Sequence, residues 1–315
     1  MRGPVPGRRA RSTRRGTRAA AGFRGLAVLT VSMWSLGGVL PAHAGSDVAV
    51  LYAGSLINVM QGAVGPAFDR ASGDHFRGYA GGSKLLANEI TAHLRRADVF
   101  LSAVPGVNAR LMGARHGNWV RWYLTFARSP LVIGYNPHSR FAPLWHRRPW
   151  YVVLQTPGLR IGRTDPRLDP KGVLTLELMR RAAAYYHIPG LARRVLGAPE
   201  NSAQVFPEET LMGRLQSGEL DAGFFYSTET AAAGIPSVHL PPQITPEARY
   251  TITLVRGAPH PRAAIAFIAF LLGPAGRRLM RSHGLRLERP TLTGPARAVP
   301  TALRALLRPA GPPVR

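Results

Sequence analysis

From Asp47 to about Pro290, short apolar runs alternate with longer stretches whose apolar residues recur every three or four positions. That alternation of strand-length and helix-length segments marks an α/β fold. The run "VAVLYA" (48–53) reads as a buried strand, and "LINVMQGAVGPAFDRAS" (56–72) as a helix with Leu56, Met60, Val64 and Phe68 on one face. A strand "HFRGYAG", a helix "SKLLANEITAHLRR" and a strand "ADVFLSA" follow, then a polar turn "VPGVNARLMGARHG". Beyond it, "LVIGYNP", "LRIGRTDP", "DAGFFYS" and "YTITLVRG" predict strands, while "LTLELMRRAAAYYHI" and "EETLMGRLQSGEL" predict helices. The last helix, "HPRAAIAFIAFLLGPAGRRLMRSHG", is interrupted at Gly273 and Pro274, because proline lacks the N–H that the helix ladder needs. A chain that leaves its first strands and returns after Tyr250 implies two lobes joined by two crossover strands. The expected division is residues 45–130 and 253–290 for lobe 1, and 131–252 for lobe 2. No repeat recurs at a fixed period.

The two ends depart from this pattern. Residues 1–44 hold eight arginines and no acid, then the apolar "LAVLTVSMWSLGGVL" and "AHA" at Ala42–Ala44. This is the layout of an export signal cleaved after Ala44, and it predicts a periplasmic or secreted mature chain. Its apolar run falls short of the roughly 20 residues of a spanning helix, and an uncleaved anchor is the alternative. The arginine pairs at 8–9 and 14–15 leave twin-arginine export open. Residues 291–315, rich in Pro, Gly, Ala and Arg, read as a disordered basic tail.

Composition removes several function classes. The 315 residues include no cysteine, so disulfides, thiolate zinc sites and thiol nucleophiles are absent. Forty-one basic residues face 16 acids, for a formal charge of +25. Twelve of those charges lie in the two ends, and the remaining +13 is spread over solvated helices without regularly interleaved aromatics. Single-strand binding surfaces combine both features, so no nucleic-acid partner is expected. No "G-x-S-x-G" elbow, phosphate-binding "G-x-x-x-x-G-K-[ST]" loop or "H-E-x-x-H" pair occurs. Asp165 and Asp169 stand four apart in the proline-bounded "DPRLDP", with too few further oxygens for a calcium loop. The chain therefore reads as a non-enzyme without a cofactor. A secreted α/β enzyme using Ser55 or Asp169 is the remote alternative.

Two strand-to-helix turns share one layout: "YAGSL" around Ser55 and "YAGGSK" around Ser83. Each serine follows glycine at the carboxyl end of a predicted strand, the edge where open α/β sheets bind ligands. A serine there caps the helix or helps the helix N-terminus hold an anion.

The ordered set "LYAGSL", "AGGSKLLANEI", "ADVFLSA", "FARSPLVIGY", "TDPRLDPKG", "LQSGELDAGFFYS" and "FIAFLLGPAGRRLMRSHG" resembles the periplasmic molybdate/tungstate-binding proteins of ABC importers. The resemblance implies an α/β, two-lobe periplasmic-binding-protein-like fold that closes over a tetrahedral oxyanion, delivers it to a membrane permease as a monomer, and performs no covalent chemistry. It maps anion-binding hydroxyls onto Ser55, Ser83 and Tyr226. Backbone donors fall at Lys171 or Gly172 and near Thr210 or Leu211, and the Lys171 side chain is read as a surface charge without a role. Asp169 falls where an archaeal branch has a metal-coordinating carboxylate, and Phe225 stands where the partner glutamate is expected. Glu208 and Glu209 either complement a helix dipole or stand in for that carboxylate. With one carboxylate missing, tetrahedral binding is expected and Asp169 becomes a turn residue. Sulfate, phosphate-like or small organic anions, or a sensing role, are the alternatives on the same fold.

Overall fold

The computed structural model describes residues 45–307. The expected signal, 1–44, and the last eight residues lie outside this range. Lobe 1 begins with the parallel strands β1 (Asp47–Ala53) and β2 (His75–Gly81). Between them runs a helical segment of a 3₁₀ turn (Gly54–Leu56), α1 (Ile57–Val59), a π turn (Met60–Val64) and α2 (Gly65–Ser72). Helix α3 (Ser83–Thr91) leads to β3 (Val99–Ser102), which pairs with β1 in parallel. The "polar turn" contains a short helix, α4 (Pro105–Arg110), with Val107 and Asn108 buried.

The thirteen-residue β4 (Tyr123–Tyr135) carries the chain into lobe 2. That lobe holds α5 (Trp150–Val153), β5 (Ile161–Gly162), α6 (Pro170–Tyr185), α7 (Leu191–Leu196), α8 (Glu208–Gln216), β6 (Ala222–Tyr226), α9 (Ser227–Ala233) and β7 (Ser237–Val238). Strand β8 (Glu247–Leu254) returns, followed by α10 (Pro261–Leu272), α11 (Pro274–Ser282) and β9 (Arg286–Thr293). The main strand order is β2-β1-β3-β8-β4-β6-β5. Residues 124–130 of β4 pair antiparallel with β8, whereas 131–135 pair with β6. One strand thus belongs to the sheets of both lobes, and β8 runs beside it as the second crossover.

The first strand's alternation places Val48, Val50 and Tyr52 in the core against the helical segment, whose Leu56, Met60, Val64 and Phe68 are buried as their spacing predicts. Phe68 meets Phe267 and Phe270 edge-on, with ring centroids 5.2 and 5.7 Å apart. Removing a fully buried aromatic leaves a cavity as well as losing burial. Phe68→Ala is accordingly expected to cost about 3–5 kcal/mol of folding stability, read from urea denaturation; a loss below 1 kcal/mol would contradict this packing. The last helix breaks as expected, α10 and α11 meeting at 58°. Among the described residues no single helix is long and apolar enough to cross a membrane.

The reading of 291–315 as a disordered tail requires correction up to Leu307. Strand β9 pairs with β4, Thr291–Thr293 lying opposite Thr125–Tyr123. Val299 and Leu303 are then buried in the main core. Glu288, Arg289 and Pro290 fall between the pairs Leu287–Ala127 and Thr291–Thr125, so the proline sits in a bulge where no ladder N–H is needed. Proline and arginine masked an edge strand.

Candidate functional site

Strands β1 and β2 end in register, Ala53 opposite Gly81, so their two serine turns leave the sheet side by side. Neither serine is an N-cap. Ser55 lies inside the 3₁₀ turn, and Ser83 is the first residue of α3, behind Gly82. Both are buried, and each oxygen accepts from the protein: Tyr250 Oη donates to Ser55 Oγ at 3.1 Å, and the Ala103 N–H donates to Ser83 Oγ at 3.1 Å. A hydroxyl has one proton and two lone pairs. With a lone pair engaged, each serine keeps its proton to give.

Tyr226 closes β6, and its hydroxyl is buried without a partner. Its ring meets that of Tyr250 at 6.2 Å and 75°, which connects it to Ser55. Burial pushes both tyrosines above their ordinary pKa, so each is a protonated donor at neutral pH.

Lobe 2 brings the starts of α6, α8 and α9 together. Asp169 caps α6: its Oδ1 accepts from the Lys171 N–H at 2.9 Å and from Thr164 Oγ1 at 3.0 Å. This is the turn role expected for it, and it engages the Lys171 amide that had been expected to face an anion. Gly172 permits close packing, since a Cβ there would lie 2.5 Å from the Thr164 carbonyl oxygen. The Lys171 side chain is no surface charge. It is fully buried, and its ammonium donates to Glu208 Oε1 at 3.1 Å and to both oxygens of Glu229 at 2.8 and 2.9 Å. Burial alone would depress this lysine, but Glu229, Glu208 and Asp169 outweigh it and raise its pKa, so it stays charged. Burial raises the pKa of Glu208, while the Lys171 ammonium 3.1 Å away opposes this by favouring the carboxylate.

A carboxylate does stand at the lobe boundary, that of Glu208. Phe225, at the expected position, packs with Val132, Leu211, Leu215 and Leu220 instead. Glu208 reaches the lobe boundary from the first turn of α8. Its Oε2 has no partner and faces Gly54: a Cβ on that glycine would be 1.7 Å away. Neither α8 amide expected at Thr210 or Leu211 is offered to the boundary. The Thr210 N–H already donates to the Pro207 carbonyl, and Leu211 is in the apolar core. Free amides belong to the first turn, and the Glu209 nitrogen, 3.3 Å from that same Gly54 Cβ position, faces lobe 1.

The lobes touch along a narrow seam. The Ser83 N–H donates to Asp169 Oδ2 at 3.4 Å, the Leu85 N–H to the Leu168 carbonyl at 2.9 Å, and Lys84 Nζ to the Pro166 carbonyl at 2.7 Å. Beside the seam lies a cleft of about 420 Å³ lined by Gly54, Ser55, Asn58, Glu208, Glu209 and Glu229, among others. Ser55, Ser83, Asp169, Lys171 and Tyr226 therefore converge on this boundary, whereas Thr210 and Leu211 do not. Sequence reasoning missed Tyr250, Glu229 and the inward course of Lys171. A lysine in a helix's first turn, against the dipole, was the one available signal.

Residues 48–286 match the family described as bacterial extracellular solute-binding proteins. A solute-binding protein of Petrotoga mobilis is 30% identical over 272 residues, covering 76% of this chain and 83% of that one. The molybdate/tungstate-binding protein of Thermococcus kodakarensis is 25% identical over 280 residues, covering 74% and 77%. In fold, the chain is similar to the periplasmic molybdate-binding protein of Azotobacter vinelandii, with TM-score 0.59, 18% identity and coverage of 76% and 99%. It is also similar to the sulfate-binding protein of Mycobacterium tuberculosis, with TM-score 0.55, 17% identity and coverage of 77% and 87%. The architecture is thus the two-lobe fold of periplasmic binding proteins, and this chain belongs to the bacterial extracellular solute-binding proteins.

Proposed function

We propose that this protein captures molybdate or tungstate between its lobes outside the membrane and passes it to the permease of an ABC importer, without covalent turnover. The observation that carries this reading is the set of unspent donors at the lobe boundary: the hydroxyl protons of Ser55 and Ser83, and the unpartnered hydroxyl of Tyr226. Neutral donors stabilise an anion in a dry cleft yet leave it releasable, which suits a carrier. Closure follows when some donors engage only in the closed form, since equal affinity for both forms shifts nothing.

Glu208 favours molybdate and tungstate over sulfate. A free carboxylate oxygen beside a dianion is repulsive unless the anion's central atom accepts it as a further ligand. Molybdenum and tungsten can enlarge their oxygen shell in this way, as hard metals that suit carboxylate ligands, whereas the sulfur of sulfate does not. The Thermococcus relative is itself a molybdate/tungstate-binding protein by name. Expectation therefore moves from purely tetrahedral binding to a shell that includes Glu208, with Asp169 as the cap that holds α6 in place.

Calorimetric titration of Tyr226→Phe and Ser83→Ala tests the donor set. Hydrogen bonds to charged groups contribute about 1.5–3 kcal/mol each, so each variant is expected to bind molybdate or tungstate roughly ten- to hundredfold more weakly. Unchanged affinity in both would remove the reading. Export by cleavage after Ala44 belongs to the same proposal, and the intact mass of the secreted chain checks it by starting at Gly45.

A further inference from the structure

Lys171 is a buried charged group that the proposed binding shell leaves unused. It stands in the first turn of α6, where a cation opposes the helix dipole, and it is completely buried. A lysine ammonium has three protons to donate. Here three short contacts take them, one to Glu208 and two to Glu229. Glu229 in turn accepts from the Tyr226 N–H at 2.7 Å. One ammonium therefore links α6, α8 and the turn that carries the Tyr226 hydroxyl. Among the described residues it is the one basic group within ion-pair distance of either glutamate.

We infer that Lys171 is a positioning residue that sets anion selectivity: by holding Glu208 Oε1, it fixes the other oxygen of that carboxylate toward lobe 1. This rests on the molybdate/tungstate reading above. The 3.1 Å tie to Oε1 stops the carboxylate from rotating, and Oε2 is left unpartnered against Gly54. The ammonium also offsets two buried acids that would otherwise repel each other and any dianion in the cleft. An oxygen held in that place serves an anion whose central atom takes a further ligand. It does nothing for sulfate.

Lys171→Met removes the tie and the charge while keeping much of the volume. Titration of wild type and variant with tungstate and with sulfate is expected to show the tungstate-to-sulfate affinity ratio falling at least tenfold in the variant. A merely structural role would weaken both anions alike and leave the ratio unmoved. The second readout is a double-mutant cycle with Glu208→Gln. If Lys171 acts through Glu208, the Gln substitution lowers the ratio far less in the Lys171→Met background than in wild type. An unchanged ratio together with additive effects would overturn the inference while leaving the transport reading intact. A wild type that binds neither tungstate nor molybdate would instead overturn the reading on which it rests. Where Lys171→Met lacks a cooperative melt, Lys171→Gln takes its place and is held to the same ratio test. Failure of both variants to fold would make Lys171 a structural counter-charge and overturn the positioning role.

Discussion

Gly82→Ala is expected to fold with near-normal stability and to bind molybdate or tungstate roughly ten- to hundredfold more weakly than wild type, the cost of a steric clash of about 1–3 kcal/mol. The reason is where the new methyl group would lie. A Cβ on Gly82 would be 2.7 Å from the Leu168 carbonyl oxygen and 3.2 Å from Asp169 Cβ. Backbone cannot swing aside as a long side chain does, so the clash is relieved by moving whole elements apart. The elements in question belong to different lobes, α3 on one side and the loop before α6 on the other. Separation of the lobes relieves the clash without disturbing either core. Calorimetric titration and an anion-free thermal melt check both halves of the expectation. Wild-type affinity would show that the seam plays no part in binding, and a melt lowered by many degrees would show that the seam is part of one rigid core.

Glu208→Gln should change which anion is preferred. The amide oxygen of glutamine can still accept from the Lys171 ammonium, now 3.1 Å from Glu208 Oε1. The other position, unpartnered and facing Gly54, becomes an N–H donor. A donor there suits any tetrahedral dianion and ends the repulsion of sulfate, while the oxygen offered to the metal centre is lost. The ratio of tungstate to sulfate affinity is expected to fall by on the order of a hundredfold, about 2.8 kcal/mol at 1.4 kcal/mol per factor of ten. Competition titrations read this ratio directly. A variant that keeps wild-type preference would exclude Glu208 from the binding shell.

Much of the architecture was legible because the buried strands and helices keep their periods. Leu56, Met60, Val64 and Phe68 face the core as their spacing requires, and the break at Gly273 and Pro274 bends the final helical pair. The crossover strand was harder to see. Its first half interrupts the apolar run with Arg128, Ser129 and Pro130, yet this is where β4 passes between lobes. Ser129 is buried there against Ser227 and Thr228 rather than packed apolarly. Strand β9 stayed hidden for a similar reason, its pattern broken by a bulge at Pro290.

In the site, residues at strand ends were legible and residues that depend on tertiary pairing were not. Ser55 and Ser83 stand out through turn chemistry beside their strands, whereas Tyr226 was named only by the family resemblance. Lys171 and Glu208 become intelligible only once α6 and α8 are side by side, since a charged residue is normally left on the surface unless a partner is folded against it. Local spacing carries no information about a pairing that is 37 residues apart in the chain. The start of α8 at Glu208 was read correctly, and Thr210 lies in its first turn, but the Thr210 N–H is spent on the Pro207 carbonyl, a local contact that spacing along the sequence does not reveal.

On the proposed reading, the lobe boundary of this solute-binding protein is built for a metal oxyanion. The most direct test is calorimetric titration of the chain from Gly45 onward with molybdate, tungstate, sulfate and phosphate. Tight one-site binding of molybdate or tungstate, with sulfate and phosphate far weaker, is the expected result. Sulfate or phosphate bound as tightly as tungstate, or no heat with any of the four, would contradict it.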